Sequence, residues 1–279
     1  MLRNTFCHIP GIGPKAEERL WSEGIRSWQD ACAGTALPLS PARCDLVRRH
    51  AEESLARLAA KDAGYFADGL PSTLHWRLFP EFRDSTAYLD IETTGLGGAW
   101  DHVTTIALYD GRAVRTYVHG QNLEAFPDDV RDCRLLVTYN GKTFDIPFLE
   151  RQFGIRLPQA HVDLRYVLHR LGYRGGLKGC ERRLGLDRGE LTGVDGFFAV
   201  LLWQEYRRSG DPRALETLLA YNVQDTVGLE TLLVMAYNMH VGRTSFAETH
   251  SLPLPAVPPA QFVPHRPTIR RIQRQCGWA

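Results

Sequence analysis

The chain has 279 residues, 44% of them hydrophobic, and a formal net charge of +1 at pH 7. That length can bury a substantial core as one large domain with an appendage, and the balanced charge does not exclude a nucleic-acid partner, because an acidic site offsets basic surroundings in the sum. No apolar run reaches membrane-span length, the start Met1-Leu2-Arg3-Asn4-Thr5-Phe6 lacks a signal-peptide core, and the six cysteines show no Cys-x-x-Cys spacing, so a cytoplasmic protein with reduced thiols is expected, without a zinc site or disulfide framework.

Near the N-terminus, Gly11-Ile12-Gly13 precedes an amphipathic helix that opens at Pro14. The segment resembles a helix-hairpin-helix motif, in which hairpin amides and a helix N-terminus bind a DNA phosphate. Only eight residues precede Ile9, too few for a full first helix, and a purely structural turn is the competing reading. A helix over about 41–60, with Arg43, Arg48, Arg49 and Arg57, completes the appendage and offers a basic face.

Asp90 and Glu92 lie in the run Ala87-Tyr88-Leu89-Asp90-Ile91-Glu92-Thr93-Thr94-Gly95-Leu96, which reads as a strand over about 86–93. Side chains two apart on a strand share a face, so both carboxylates point one way and Leu89 and Ile91 the other. Like charges so placed raise each other's pKa unless a cation sits between them. An all-oxygen site of that kind suits Mg²⁺ or Mn²⁺. Asp-x-Glu is also common on solvated edge strands, so the pair alone leaves both readings open.

Strands over 102–109 and 112–118, a helix over 122–132 and a strand over 134–139 follow. The stretch Tyr139-Asn140-Gly141-Lys142-Thr143-Phe144-Asp145-Ile146-Pro147 then turns at glycine into a helix over 146–153. Asp145, just before that helix, is either an N-terminal charge or cap or a third acid of a site. Asp163 reads as a helix cap or a groove residue outside the site, and Lys178 as a phosphate contact or a solvated side chain opening a helix. The helix around Phe197–Arg207 reads as packing, with Trp203 in the core or groove wall. In a helix from about Pro212 to Met239, Tyr221 and Asp225 lie one turn apart on a face shared with Leu218, Leu229 and Leu232. A buried acid there needs a partner, either the tyrosine or a metal. From Thr249 on there are no acids, six prolines, and then Arg266, Arg270, Arg271 and Arg274. Proline density predicts an extended arm ending in a basic patch; packing on its own domain through Phe262, Ile269, Ile272 and Trp278 is the alternative.

The ordered set Asp90-x-Glu92, Asn140 to Asp145, and Tyr221-x-x-x-Asp225 resembles the DEDD superfamily of 3′–5′ exonucleases on the ribonuclease H-like fold. Tyr221 places it with the DEDDy branch, since the histidine branch has His where this chain has Ala220. The wording from Tyr139 to Leu149 is similar to the second exonuclease motif of family B DNA polymerases, and the whole is similar to stand-alone YprB-type ribonuclease H-like proteins. The likeness covers about residues 76–240. It implies an α/β, ribonuclease H-like (DnaQ-like exonuclease) mixed sheet flanked by helices over 73–245, between a helical N-terminal region (1–72) and the C-terminal arm (246–279). It implies two Mg²⁺ or Mn²⁺ ions: Asp90 bridging, Glu92 and Asp225 helping to hold the first, Asp145 acting partly through water, and Tyr221 orienting the attacking water. Thr93 and Leu96 fall where the family contacts the terminal nucleotide, though turn and core packing would explain them equally. Asn140 supports the site or touches substrate, unless it is only a turn residue before Gly141. The implied activity is release of 5′-nucleoside monophosphates from the 3′ end of single-stranded nucleic acid, DNA favoured over RNA, by a monomer. A 3′–5′ exoribonuclease and a catalytically silent nucleic-acid-binding module are the alternatives.

Overall fold

The computed structural model describes residues 1–34, 36–191 and 194–276; Trp278, one of the residues read as packing the tail, lies outside them. Five strands form one sheet: β1 (Thr86–Thr93), β2 (Val103–Tyr109), β3 (Val114–Val118), β4 (Leu135–Thr138) and β5 (Ala160–Asp163), in the order β3-β2-β1-β4-β5. The first three pair antiparallel as a meander, and β4 and β5 add in parallel on the other side of β1. This is the mixed α/β sheet flanked by helices that the motifs imply. Strand β5 is an addition: four residues are too few to show a period of two, and only helices were expected in that stretch. The helix expected over 122–132 is shorter, a 3₁₀ turn Leu123–Ala125 running into a helix Phe126–Val130.

Strand alternation divides the core. Ala87, Leu89 and Ile91 pack with Ile106, Leu108, Phe126 and Leu149 on one face. Tyr88 turns the other way, to Val137, Val162 and the apolar flank of the helix Pro212–Val241, which includes Leu229 and Leu233. That helix is 30 residues long and crosses β1 and β2. Asp211 caps it by accepting from the Arg213 amide at 3.0 Å, and Pro212 opens it where a missing N–H costs nothing.

The N-terminal segment shares this core, with Leu2, Phe6, Ile9 and Ile12 buried in the same cluster as Tyr88 and Tyr237. Its anchor is Glu17, in the helix Pro14–Ser22. The buried carboxylate accepts from Thr5 Oγ1 at 2.8 Å, the Phe6 amide at 2.6 Å and the Cys7 amide at 3.2 Å, and pairs with Arg77 Nη1 at 2.6 Å. A buried pair with its lone pairs so filled is costly to break, about 3–5 kcal/mol when one partner is removed. Gly11 adopts φ +77° at the turn, and Gly11, Gly13 and Lys15 stay exposed.

The C-terminus departs from the extended basic arm. The proline stretch is irregular, but Arg266–Gln275 is helical. Pro267 falls in the first turn, where proline is tolerated, and His265 caps the helix through the Thr268 amide at 3.3 Å. Ile269 and Ile272 are buried against Phe198 and Leu202, and Arg271 pairs with Glu205 at 3.1 Å and Asp211 at 3.6 Å. The basic residues therefore form one face of an amphipathic helix whose other face is in the core.

Candidate active site

The site exists because two strands part. β1 pairs with β4 only from Thr86 to Tyr88, whereas its pairing with β2 continues to Thr93. Beyond Tyr88 the parallel edge of β1 is open, and the Ile91 backbone on it helps to hold the Asp145 carboxyl down against the effect of burial. Crevices at the carboxyl ends of strands are where open α/β sheets bind ligands. Asp90 and Glu92 lie opposite Ala107 and Thr105, and a bulge after Glu92 bends the strand end.

Asp145 is the first residue of the helix Asp145–Phe153, and Phe144 stands at the cap position. Its placement depends on the turn before it. Asn140 has φ +69°, a left-handed conformation that asparagine tolerates. A Cβ on Gly141 would run into the Thr138 side chain, so only glycine fits that close approach. Buried Asp163 holds the turn by accepting from the Asn140 amide at 2.8 Å and the Lys142 amide at 3.1 Å, while also capping the helix Leu164–Arg170 through the Arg165 amide at 3.0 Å. Asp163 is thus a helix cap, as read, and it also holds the turn that carries Asn140.

The long helix supplies the opposite wall. Asp90, Glu92 and Asp225 bring carboxylate oxygens within 4.8 Å of one another. Asp145 is buried beside them, outside that group of three but near enough that Glu92 feels its charge. Asn222 fixes Asp90, donating Nδ2 to its Oδ2 at 2.7 Å and its carbonyl at 3.1 Å, and accepts at Oδ1 from Thr105 Oγ1 at 3.0 Å. The Tyr221 hydroxyl accepts from Lys178 Nζ at 2.7 Å. Lys178 also donates to the Val194 carbonyl, so it is drawn into the site and is not a solvated lysine. Arg188 pairs with Asp225 and, at 2.5 Å, with Glu181, its guanidinium carbon 5.6 Å from the Tyr221 ring centre. These walls enclose a cavity of about 350 Å³ that Asp90, Glu92, Asp145, Tyr221, Asp225 and Lys178 all line, together with Asn140 and Phe144.

Its electrostatics are those of a cation site. Burial pushes the Asp90 carboxyl up to about 7, against the Asn222 hydrogen bond and the positive charges of Arg188 and Lys178. Glu92 and Asp145 are held well above the usual carboxylate range, first by burial and then by the charge of Asp90. Burial raises the Tyr221 phenol too, with Glu92 and Asp90 adding to it, and lowers Lys178 to about 8. Hard oxygen donors crowded together and held largely protonated by burial suit a divalent metal ion, whose charge would favour their ionised forms.

The residues named as substrate contacts are placed less uniformly. Thr93 is buried and donates to the Gly95 carbonyl at 2.6 Å, whereas Leu96 is 93% exposed. The Asn140 side chain accepts from Thr143 Oγ1 at 3.0 Å and from Arg165. Asn222 and Arg188 did not figure in the sequence reading. An asparagine inside the apolar run Leu218–Val223 was the signal for the first, since a buried amide needs partners. Arg188, in Asp187-Arg188-Gly189, looks like a solvated turn and carries no such signal.

A family model described as the RNase H superfamily matches residues 87–237. The chain belongs to the RNase H superfamily. The match contains all four acids, Tyr221, Asn222, Lys178 and Arg188. Among curated proteins the chain is similar to the uncharacterized protein YprB of Bacillus subtilis (strain 168), 28% identical over 229 residues, or 74% of this chain and 53% of YprB. It therefore spans about half the length of that relative. Among solved structures it is similar to the family B DNA polymerase of the hyperthermophilic archaeon Pyrobaculum calidifontis, with a TM-score of 0.44 and 20% identity, covering 55% of this chain and 25% of the polymerase. By its family match the fold is an RNase H-like nuclease fold, and it carries an acidic cluster able to hold a metal ion. No helix among the described residues is long and apolar enough to cross a membrane.

Proposed function

We propose that the chain is a metal-dependent 3′–5′ exonuclease that removes 5′-nucleoside monophosphates from single-stranded ends, DNA ahead of RNA. The observation that carries this reading is the convergence on one cavity of Asp90, Glu92, Asp145 and Asp225 with the Tyr221 hydroxyl. The likeness of the ordered motifs to DEDDy exonucleases supports the 3′–5′ direction.

Phosphodiester hydrolysis adds negative charge to a phosphate that is already anionic. Two Mg²⁺ or Mn²⁺ ions held by Asp90, Glu92, Asp145 and Asp225 would supply the compensating charge and acidify the attacking water. Tyr221, a phenol whose burial favours the neutral form, orients that water by hydrogen bonding. Lys178 steadies the Tyr221 oxygen and adds a positive charge near the scissile phosphate. Asn222 keeps Asp90 in one rotamer. Arg188 neutralises Asp225 and Glu181 when no other cation does. Thr93, Leu96 and Asn140 border the terminal nucleotide. Keeping four acids crowded together, three of them buried, costs stability, and a silent binding module would have no reason to retain them.

The test is incubation of 5′-labelled single-stranded DNA and matched RNA with the purified chain in Mg²⁺, Mn²⁺ or EDTA, beside Asp225→Asn. Shortening from the 3′ end that needs metal and disappears in the variant supports the reading and selects the sugar. Intact strands in every metal return the chain to a binding module.

A further inference from the structure

The loop from β1 to β2 is built to hold an aromatic ring out in solvent. Trp100 and Leu96 are each 93% exposed, more than any other large apolar side chain among the described residues. Their backbone is well fastened. The Asp101 carboxylate accepts from the Gly97 amide at 3.0 Å, the Gly98 amide at 2.7 Å and Thr94 Oγ1 at 3.3 Å. The Thr94 amide donates to the His102 carbonyl at 3.0 Å, and the His102 amide returns a bond to Thr94 Oγ1 at 3.0 Å. An ordered backbone that leaves an indole bare is a surface held ready for a partner, since burying such a ring is favourable.

Its position says which partner. The loop leaves β1 after Thr93, one residue past Glu92, so the acidic cavity is at its base. Phe144 lines that cavity and lies 5.5 Å, ring to ring, from Phe148. The Arg151 guanidinium sits 4.4 Å from the Phe148 ring centre and donates to the Gly97 carbonyl at 3.3 Å. Phe148 is buried, so a packed link of rings joins the cavity to this loop from beneath, while the exposed Arg151 guanidinium and the exposed Trp100 ring form the cationic and aromatic surface beside it. A single strand has this pattern in complement: flat apolar base faces joined by anionic phosphates.

We propose that Trp100 is a stacking platform for an unpaired base upstream of the bond being cut, with Arg151 beside the backbone. The strand's polarity and the position of its 3′ end rest on the exonuclease reading; the stacking itself does not. Bases inside a duplex have no free face to offer, so the platform selects single strands, and Leu96 remains for the terminal nucleotide.

Trp21, Trp28, Trp76 and Trp203 are buried, so with Trp278→Phe as background the acrylamide-quenchable emission belongs to Trp100. Hexathymidylate, thymidine 5′-monophosphate and a blunt duplex are added in turn, in Ca²⁺ and in EDTA. The proposal expects the hexamer to cut the quenching constant at least twofold and the other two to leave it unchanged. It expects Trp100→Ala to bind the hexamer roughly tenfold more weakly and to cut it with a higher KM, with Trp100→Phe close to wild type. Hydrolysis of p-nitrophenyl thymidine 5′-phosphate, which has no upstream base, should be the same in all three. Unchanged quenching with the hexamer, or equal hexamer affinity in Trp100→Ala, overturns the platform. Shielding without hydrolysis under any metal leaves the platform standing and removes the exonuclease; hydrolysis with an unshielded Trp100 does the reverse.

Discussion

Asp90→Asn should stabilise the metal-free protein while abolishing its response to metal. Burial lifts the Asp90 carboxyl from 3.8 to about 7. The folded chain then holds this proton more tightly than the unfolded chain, so stability falls as pH rises from about 4 through about 7. At 1.36 kcal/mol per pKa unit, Asp90 costs at most about 4 kcal/mol by neutral pH. Asparagine removes the charge and keeps an oxygen to accept from Asn222, which now donates at 2.7 Å. For a chain of 279 residues, an unfolding entropy of about 2.1 cal/mol/K per residue turns that gain into a rise of at most roughly 7 °C in Tm. Scanning calorimetry in EDTA at pH 7.5 should show the rise, and at pH 5 the gap between variant and wild type should narrow. With Mn²⁺ the wild type should recover and Asp90→Asn should not move. A variant that melts lower than wild type at pH 7.5, or that Mn²⁺ stabilises equally, refutes a site held in tension by its own acids.

Arg188→Gln removes the cation that pairs with Asp225 and Glu181; it should melt lower in EDTA and bind Mn²⁺ about tenfold more tightly, because a dication gains twice what a proton does from losing a positive neighbour. Equal Mn²⁺ affinity by electron paramagnetic resonance would show that the guanidinium does not compete for the site. Tyr221→Phe should slow hydrolysis by about 10²-fold with Mn²⁺ binding intact, and a wild-type rate would take the phenol out of the chemistry. Asp163→Ala strips an acceptor from three backbone amides and should cost about 3 kcal/mol, read as a lower urea midpoint. A midpoint unchanged from wild type would mean that water replaces the carboxylate.

The parts of the fold that the sequence made legible are those with a period or a sharp boundary. β1 was readable from alternation and Gly95, and the long helix from its apolar stripe and Asp211-Pro212. β5 was not, because four residues leave periodicity undecided. The C-terminal helix was obscured by prolines, which forbid a helix upstream yet open one at Pro267. In the site, the four acids and Tyr221 announce themselves by spacing on known elements, whereas Arg188 comes from a turn and reaches the acids only through tertiary folding. Lys178 was visible as a candidate, but its bond to Tyr221 spans two helices far apart in sequence. Trp100 lies in a glycine-rich loop whose conformation depends on the Asp101 carboxylate, a contact no pattern announces.

The most direct test of the central claim uses a single-stranded oligonucleotide labelled on its 3′-terminal nucleotide, mixed with excess protein and Mn²⁺ and quenched within the first turnover. The account predicts that the label leaves at once as a 5′-nucleoside monophosphate, with no release in EDTA or from Asp90→Asn. Label appearing first in longer fragments would mean internal cleavage, and label that stays on the strand would mean no nuclease at all.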